Sequence, residues 1–514
     1  MKYQKEINKD FYDVVIIGSG MAGLVTAANL VSEGLSVLVL EQHFIAGGAT
    51  TMFKRKDFVF EAGGHRFSGI KNPNGVLAKL LKKINKTVVL EPINPSYVVR
   101  SGNKMLKANL DIDKYKQNVI ALFPNQKPNI EKYFTAMLKI VEGNKYLASH
   151  KKINPIALLF QHPYFFKNIK KNTRQFMEQF FKDEEIITFL TMLGAYTTLP
   201  TNEQSLIGYA NLWAVHHLGE GMNLIKGGTK QVVDALVDYI DNNNGQVVVS
   251  KYVDKILTEN KKAIGVRIKD GTEIKSKFVV STASNQETYI KLLDSKLSDN
   301  NFIEKLKNQK QSGSLFQLFL GVKEDNGEGL EYTTTFVAGN SKISDTKVYE
   351  KMYNWDLDAI TSSGVITVEG KENSPKGFRS VNISCLIPYH HSKNWFINGK
   401  DKTEYKAFKN KIAEQIIENF GKYIPNLKNR IVYQNTATPL TIERYTLATD
   451  GGLQGLAHTI EQSGRGRGKI KTHIENLYHA GQYNFPGAGI ITVSISGNLC
   501  AEMILKEHLG TNSK

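Results

Sequence analysis

Three glycines near the N-terminus have the spacing of a dinucleotide-binding turn. Gly18-x-Gly20-x-x-Gly23 follows the apolar run Asp13–Ile17 and precedes apolar residues at helical spacing. The first glycine allows a tight turn, the second lets the backbone approach a pyrophosphate, and the third lets helix and strand pack closely. The phosphates would lie at a helix N-terminus, where unpaired N–H groups favour anions. Glu41 comes about 20 residues downstream, where an acid binds a ribose hydroxyl.

A second glycine-bearing segment, near the C-terminus, indicates which of two cofactors, NAD or FAD, the chain binds. NAD and FAD share the first motif, so the choice depends on the rest of the chain. Asn476–Gly497 predicts a strand at Leu477–Ala480, a turn at Gly481, a Pro-Gly-x-Gly loop and then a helix. A nicotinamide enzyme does not need this additional strand–loop–helix, whereas a longer cofactor that runs through the protein does. We therefore predict FAD. With only two cysteines, Cys385 and Cys500, the chain cannot form a Cys-rich metal site, and no metal is predicted.

The elements that must position these residues form a β-α-β unit at the start of the chain. Asp13–Ile17 and Ser36–Leu40 are predicted buried strands, and the helix between them ends before Gly34. The middle of the chain has a different character. Helices are predicted at Ile130–Val141, Arg174–Leu193, Gly227–Gly245 and Lys406–Phe420, and alternating strands at Gly245–Gly271, Phe316–Val322, Val365–Val368 and Val381–Ile387.

The length of 514 residues predicts two domains, because one hydrophobic core rarely organises so long a chain. Hydrophobic residues make up 41%, which excludes a disordered protein. No linker or repeat separates the predicted elements, so the domains are expected to be interleaved. The predicted FAD-binding domain comprises residues 1–70, 215–290 and 430–514, and the predicted substrate-binding domain comprises 71–214 and 291–429.

Several stretches resemble the flavoprotein family of phytoene desaturases, carotenoid isomerases and retinol saturase. They are VVIIGSGMAGLVTAANL, VLVLEQHFIAGGATTMF, GGHRFSG, LIKGGTKQVVDAL, TPLTIERYT and LYHAGQYNFPGAG. The resemblance extends from about Tyr12 to Glu502. It implies an α/β fold: a Rossmann-like FAD-binding domain of the amine-oxidase-like type (GR2), with an interleaved α+β substrate domain.

The same resemblance implies a set of FAD contacts. The pyrophosphate, ribose and flavin contacts are Gly18, Ser19, Gly20, Met21, Ala22, Gly23, Glu41, Gln42, Gly47, Gly48, Ala49, Gly64 and His65, with Val253 near the adenine and Gly481, Gln482, Gly489 and Ile490 near the ribityl chain and flavin ring. This chain departs from the family pattern at two positions. Gln482 stands where many members have an acid, and Ala49 stands where many have arginine.

The implied chemistry is desaturation, saturation or cis–trans isomerisation of a polyene, with a long apolar tunnel that ends at the flavin. Three residues are candidates for acid–base or binding roles. His65 suits proton transfer, although a structural histidine explains it equally well. Glu220 lies where relatives line the cavity, and a solvated carboxylate is the alternative. Arg444 could bind a substrate carboxylate or pair with a buried acid.

The net charge of +17 leaves nucleic acid, an anionic membrane and simple solubility open as explanations. Lys151–Asp183 contains lysines and an arginine around an apolar, aromatic centre, Ile156–Phe166, which is typical of a segment in a membrane interface. A helical hairpin with solvated lysines is the alternative. GRGRGK at Gly464–Lys469 is interpreted as a connection and not as a nucleic-acid site. No apolar run is long enough to span a bilayer, so a cytoplasmic protein, peripheral on the membrane, is expected.

Three hypotheses follow for function. The first is an FAD-dependent oxidoreductase that acts on carbon–carbon bonds of a polyene or isoprenoid lipid. The second keeps the flavin but replaces the substrate with an unsaturated fatty acyl chain or an amine. The third is a prenyl-binding escort protein without catalysis, which would purify without the yellow colour of a flavin.

Overall fold

The computed structural model describes residues 3–4, 6–64, 66–149, 154–389 and 402–512. The strands in chain order are Phe11–Ile17 (β1), Val37–Leu40 (β2), Met52–Arg55 (β3), Phe58–Glu61 (β4), Leu90–Pro92 (β5), Tyr97–Ser101 (β6), Lys104–Ala108 (β7), Asn223–Ile225 (β8), Gly245–Val248 (β9), Val253–Glu259 (β10), Lys262–Ile268 (β11), Glu273–Ser281 (β12), Ser314–Lys323 (β13), Thr334–Val337 (β14), Gly364–Val368 (β15), Phe378–Ile387 (β16), Ile431–Ala437 (β17) and Leu477–His479 (β18).

The α-helices of the same residues are Met21–Val31 (α1), Val76–Lys83 (α2), Ile112–Leu122 (α3), Lys127–Ser149 (α4), Pro155–Gln161 (α5), Pro163–Asn168 (α6), Thr173–Met177 (α7), Glu184–Thr191 (α8), Leu206–His217 (α9), Lys230–Asp241 (α10), Asn300–Lys307 (α11), Asp345–Tyr353 (α12), Leu357–Ser362 (α13), Lys402–Phe420 (α14), Leu427–Arg430 (α15), Pro439–Thr446 (α16) and Ile490–Asn512 (α17).

The first sheet is built around β1. This strand pairs in parallel with β2 on one side and β12 on the other, β2 pairs with β9, and β12 pairs with β18. The central strands β1 and β2 are nearly continuous apolar runs, as expected for parallel strands covered on both faces. The antiparallel strands β10 and β11 extend the sheet beyond β12. A turn at Asp270-Gly271 joins the antiparallel strands β11 and β12, and Gly271 there has a φ of +94°. The Rossmann-like prediction is confirmed.

The chain ends meet on one face of this sheet, where α1 packs against α17. Gly497 of α17 lies so close to α1 that a Cβ atom there would overlap the Ala22 carbonyl oxygen. Thr26 of α1 donates a hydrogen bond of 3.0 Å to the Gly497 carbonyl. Glycine thus allows the C-terminal helix to contact the N-terminal nucleotide helix directly.

A Gly497→Ala substitution is therefore expected to destabilise the fold by about 1–3 kcal/mol, because one added methyl group meets backbone that cannot move freely. Urea unfolding followed by far-UV circular dichroism measures this loss. Gly510→Ala lies on the same helix with no atom within 4 Å of the added carbon, and it is the control. Equal stability of the two variants would contradict the close packing of α1 on α17.

The second sheet has the strand order β17-β13-β16-β15-β14-β6-β7. Its pairs are antiparallel except that of β14 with β6. Helices α12, α13 and α14 cover the sheet through an apolar cluster that includes Leu318, Ile383 and Phe420. The predicted strands at Phe316–Val322, Val365–Val368 and Val381–Ile387 all lie in this sheet. The division of the chain into two domains stays a prediction. Strand β17 belongs to the piece 430–514 that is predicted for the FAD-binding domain, but it pairs with β13 of the second sheet.

A layer of helices adjoins β6 and β7 and has its own aromatic core, which includes Tyr133, Phe134, Tyr209 and Trp213. The prediction of one helix at Arg174–Leu193 is wrong. The segment forms α7, then α8, then a 3-10 turn at Met192–Thr197. Helix α8 has its own start, because the Asp183 side chain accepts a hydrogen bond of 2.9 Å from the Glu185 amide.

Candidate functional site

The glycine motif forms the turn between β1 and α1. Gly18 has a φ of +98°, and a Cβ there would overlap the hydroxyl oxygen of Thr282. A Cβ at Gly23 would overlap the Gly18 carbonyl oxygen. At Gly20, by contrast, a Cβ would have no atom within 4 Å. Close packing thus requires the first and third glycines, whereas the second faces open space at the start of α1.

That open space suits an anion. Helix α1 begins at Met21 with no acidic residue in its first turn, so its N-terminal N–H groups meet no carboxylate of their own. A second turn lies against the first: Gly20 and Gly47 form a parallel bridge, and a Cβ at Gly48 would be 3.1 Å from the Gly20 Cα. Glycines without side chains thus border this space on both sides, which allows a pyrophosphate to approach the backbone closely.

Glu41 lies at the end of β2 and is buried. One of its carboxylate oxygens accepts hydrogen bonds from the Ser19 amide at 2.9 Å and the Ser19 hydroxyl at 2.7 Å, and the other accepts one from the His43 amide at 2.8 Å. The carboxylate is therefore fixed beside the glycine turn, at the position that the ribose contact requires. The Lys251 amide donates a hydrogen bond of 2.8 Å to the Glu41 backbone carbonyl, so the segment that precedes Val253 lies next to the end of β2.

The C-terminal glycine turn lies directly against the N-terminal one, as predicted. Gly481 follows β18 with a φ of +113°, and a Cβ there would be 3.7 Å from the Ala22 Cβ and 3.8 Å from the Thr282 carbonyl oxygen. Gly64 lies beside the start of α17, where its Cβ would be 2.7 Å from Ile490 Cδ1. The predicted contacts near the two chain ends thus lie on neighbouring segments, at the start of α1 and at the start of α17, and their roles in binding FAD stay predictions.

A residue that the sequence interpretation missed holds the C-terminal turn in place. Arg467 is buried and donates hydrogen bonds to the carbonyl oxygens of Gln482 and Leu456, the latter at 2.7 Å. Its Nε would be 3.1 Å from a Cβ at Gly487. Arg467 lies in GRGRGK, which the sequence predicted as a simple connection. The only available signal was an arginine next to glycines that directly precede a flavin-type strand.

The candidate acid–base residues lie in different surroundings. The Glu220 carboxylate accepts hydrogen bonds from the Ile70 amide at 3.2 Å and the Asn72 amide at 2.9 Å, so it braces the loop after Gly64. Arg444 is exposed on α16, with its guanidinium 5.6 Å from the centre of the Tyr445 ring. His65 lies outside the described residues. The catalytic roles of all three stay predictions.

The side-chain Nε2 of Gln42 donates a hydrogen bond of 3.2 Å to the Tyr445 carbonyl, which joins α16 to the loop after Glu41. Ala49 accepts a hydrogen bond from the Gly64 amide at 2.9 Å, so the two predicted contacts near the flavin support each other. Gln482 is half-buried in the C-terminal turn. A glutamine there can still hydrogen-bond a ribityl hydroxyl or a phosphate oxygen.

Comparison with known proteins places this geometry in a family. The model of the family described as flavin containing amine oxidoreductase matches residues 21–505. The chain belongs to this family. It is an FAD-dependent oxidoreductase, and the predictions of FAD and of an enzyme are confirmed, which sets aside the escort hypothesis. The glycine turns and Glu41 described above fit this cofactor.

Individual relatives cover almost the whole chain. Prolycopene isomerase 1 of an Oncidium hybrid cultivar is 26% identical over 526 residues, which span 98% of this chain and 85% of the relative. All-trans-retinol 13,14-reductase of Danio rerio is 25% identical over 547 residues, spanning 97% and 86%. A solved oxidoreductase from Methanosarcina mazei has a TM-score of 0.66 and 18% identity, covering 95% of this chain and 99% of that one. The predicted resemblance to the carotenoid isomerase and retinol saturase family is confirmed.

Proposed function

We propose that this flavoenzyme acts on carbon–carbon bonds of a hydrophobic polyene or isoprenoid, as a desaturase, a saturase or a cis–trans isomerase of the carotenoid or retinoid type. The observation that carries the proposal is the similarity, along 97–98% of the chain, to a prolycopene isomerase and an all-trans-retinol reductase. Both of these named substrates are conjugated polyenes. Because the similarity includes the helical layer and the second sheet, it extends well beyond the cofactor motif.

Bound FAD supplies hydride-accepting or hydride-donating chemistry. The residues of the chain supply an apolar, aromatic wall that includes the half-buried Tyr196. Its ring lies 5.1 Å from that of Phe336 and 6.2 Å from that of His216. Such a wall excludes water and packs against a hydrocarbon chain.

Two histidines near this region are held neutral. Burial, followed by the charge of Arg467, lowers the pKa of His458 to about 3, and burial, followed by His217, lowers the pKa of His216 to about 3. At neutral pH both imidazoles are therefore uncharged. Neutral imidazoles and aromatic rings suit an uncharged polyene better than a cationic amine, because a cation would require a charged partner.

The reaction is tested by expressing the chain in cells that make phytoene, lycopene isomers including prolycopene, or retinol, and by analysing the extracted lipids. We expect one of these polyenes to be converted. The matched control is Gly20→Val, which should leave the lipid profile unchanged. Unaltered lipids in every strain, with yellow protein present, would contradict the polyene proposal and favour a fatty acyl chain or an amine.

We further propose that α5 and α6 contact an anionic membrane. Ile156 and Phe160 lie one helical turn apart on α5 and are 67% and 79% exposed. Phe166 of α6 and the nearby Lys167 and Lys170 are also exposed. Apolar side chains with flanking cations suit an interface of acidic headgroups. Lys151 and Lys152 of the predicted segment lie outside the described residues. No helix among the described residues is both long and apolar enough to cross a bilayer.

The double substitution Ile156→Ser with Phe160→Ser is expected to weaken binding to phosphatidylserine-containing vesicles at least tenfold. Each large apolar side chain that moves from water into the bilayer contributes about 1.5–3 kcal/mol of binding free energy, and serine loses this contribution. Sedimentation with vesicles measures the binding. Val89→Ser removes another exposed apolar side chain, 63% exposed and remote in sequence from α5, and should leave binding unchanged. An equal loss in the two proteins would contradict this docking surface.

A further inference from the structure

Three charged side chains are buried together where the two seven-stranded sheets meet. Glu61 ends β4, Arg66 follows in the loop that contains Gly64, and Glu369 follows β15 of the second sheet. Their exposed fractions are 4%, 6% and 2%. Charged groups are almost never buried to this extent unless they are paired, because desolvation costs several kcal/mol per ion.

Arg66 connects the loop beside the flavin site to the second sheet. Its Nη2 donates a hydrogen bond of 2.7 Å to the Thr333 carbonyl, just before β14, and one of 3.4 Å to the Val368 carbonyl at the end of β15. Its Nε donates to the Thr334 hydroxyl at 3.4 Å. The guanidinium thus spans the ends of two strands, while the loop that carries it places Gly64 against Ile490.

Glu61 connects the same cluster to the first sheet. One of its carboxyl oxygens accepts a hydrogen bond of 2.9 Å from the Thr229 amide, and the other accepts one from the Thr229 hydroxyl. Thr229 directly precedes α10, which packs against α1. Glu61 is therefore held by the helix layer of the nucleotide-binding sheet, opposite the strands to which Arg66 is bonded.

The charges do not balance if both carboxyl groups are ionised. Burial raises the pKa of Glu61, and repulsion by Glu369 raises it further, against the opposing effects of Thr229 and Arg66. Burial also raises the pKa of Glu369, against the opposing effects of Arg66, the Glu61 amide and Arg379. Arg379 donates a hydrogen bond of 2.7 Å to the Glu369 backbone carbonyl and is ion-paired with Glu324 at 3.5 Å, and Tyr196 faces Arg66. The Arg66 guanidinium therefore neutralises one of the two carboxylates, and the second buried carboxylate is more stable when it is protonated.

We propose that Glu61 and Glu369 share a single proton and, with Arg66, form a clamp between the two sheets that fixes Gly64 and Arg66 against the FAD site. The three are positioning residues. The proposal rests on the FAD site but not on the identity of the substrate. Because Arg66 lies two residues after Gly64, which packs against Ile490 at the start of α17, the protonation state of the clamp should affect the surroundings of the flavin.

The first test is infrared difference spectroscopy of the flavin-bound protein at pH 7, with Glu61→Gln and Glu369→Gln. Wild-type protein should show the carbonyl stretch of a protonated carboxyl group. Either single substitution should abolish that band, because the remaining carboxyl group then ionises beside Arg66. Glu372→Gln removes an exposed carboxylate that binds the Gly227 amide nearby and should keep the band.

The second test is the pH dependence of thermal unfolding and of the visible flavin spectrum. A raised pKa means that the folded state binds more protons than the unfolded state, so this contribution to stability falls as pH rises from the ordinary glutamate value of about 4.3 through neutrality. Either glutamine variant should flatten this fall and the accompanying spectral shift, whereas Glu372→Gln should not.

Two results would overturn the clamp: no protonated carboxyl band in wild-type protein, or a band that persists in both single variants. The first would mean that both groups are ionised. In the second case, a band of half the size would mean that both groups are protonated, and a band of full size would mean that it arises elsewhere. Neither result depends on turnover, so failure to convert a polyene would leave the clamp standing, and failure of the clamp would leave the proposed reaction standing.

Discussion

Gly20→Val protein is expected to fold normally and to purify without flavin. The backbone of Gly20 has a φ of −62° and a ψ of 168°, which valine adopts readily, and a Cβ there meets no protein atom within 4 Å. The added side chain instead fills the space at the start of α1 that the pyrophosphate requires. We expect the affinity for FAD to fall at least about 100-fold, equivalent to roughly 2.7 kcal/mol. Absorbance of the purified protein and titration of the apoprotein with FAD measure this loss.

Gly23→Ala is the informative control for that experiment. Its added methyl group would overlap the Gly18 carbonyl oxygen, so it should destabilise the fold itself. The two substitutions therefore separate a steric block of the cofactor from damage to the turn. A yellow Gly20→Val protein with normal affinity would show that the pyrophosphate lies elsewhere.

Arg467→Met should lower both stability and flavin retention. The substitution leaves the carbonyl oxygens of Gln482 and Leu456 without their donor in a buried site, at a cost of roughly 2–5 kcal/mol in the free energy of unfolding. The C-terminal turn that carries Gly481 and Gln482 then loses its support, so FAD should dissociate faster. Urea unfolding of the apoprotein and the rate of flavin release measure the two effects.

Lys469→Met is the matched control for Arg467, since it removes an exposed cation from the same short segment. Surface changes of this kind usually alter stability by no more than about 0.5 kcal/mol. Equal behaviour of Arg467→Met and Lys469→Met would mean that Arg467 does not support the turn.

The sequence was sufficient to predict the turn between β1 and α1 and the acid that follows β2, because the requirements of this turn are local; the FAD contacts of these residues stay predictions. The motif needs a glycine with a positive φ, a glycine without a side chain next to the phosphates, and an acid at the end of the next strand. These requirements fix the spacing in the sequence, and Gly18, Gly20 and Glu41 have that spacing. The contact between Gly481 and Ala22 was also predictable, since a second flavin-type turn near the C-terminus has to meet the first.

The buried polar contacts were not predictable, because they join residues far apart in the chain. Nothing around Arg467 indicates that it donates to the Leu456 carbonyl, and nothing around Glu61 indicates that Glu369 lies beside it. The predicted helix at Arg174–Leu193 failed for a different reason. Its apolar spacing continued through Asp183, but the capping preference of that aspartate outweighed the periodicity and started a new helix.

A crystal structure of the purified yellow protein tests the position of the cofactor most directly. We expect one FAD per chain, with its pyrophosphate at Gly20 and the start of α1, a ribose hydroxyl at Glu41, and the flavin ring between Gly64 and the start of α17. An FAD whose ring lies away from the C-terminal turn, or a nucleotide bound outside the β1–α1 turn, would contradict it.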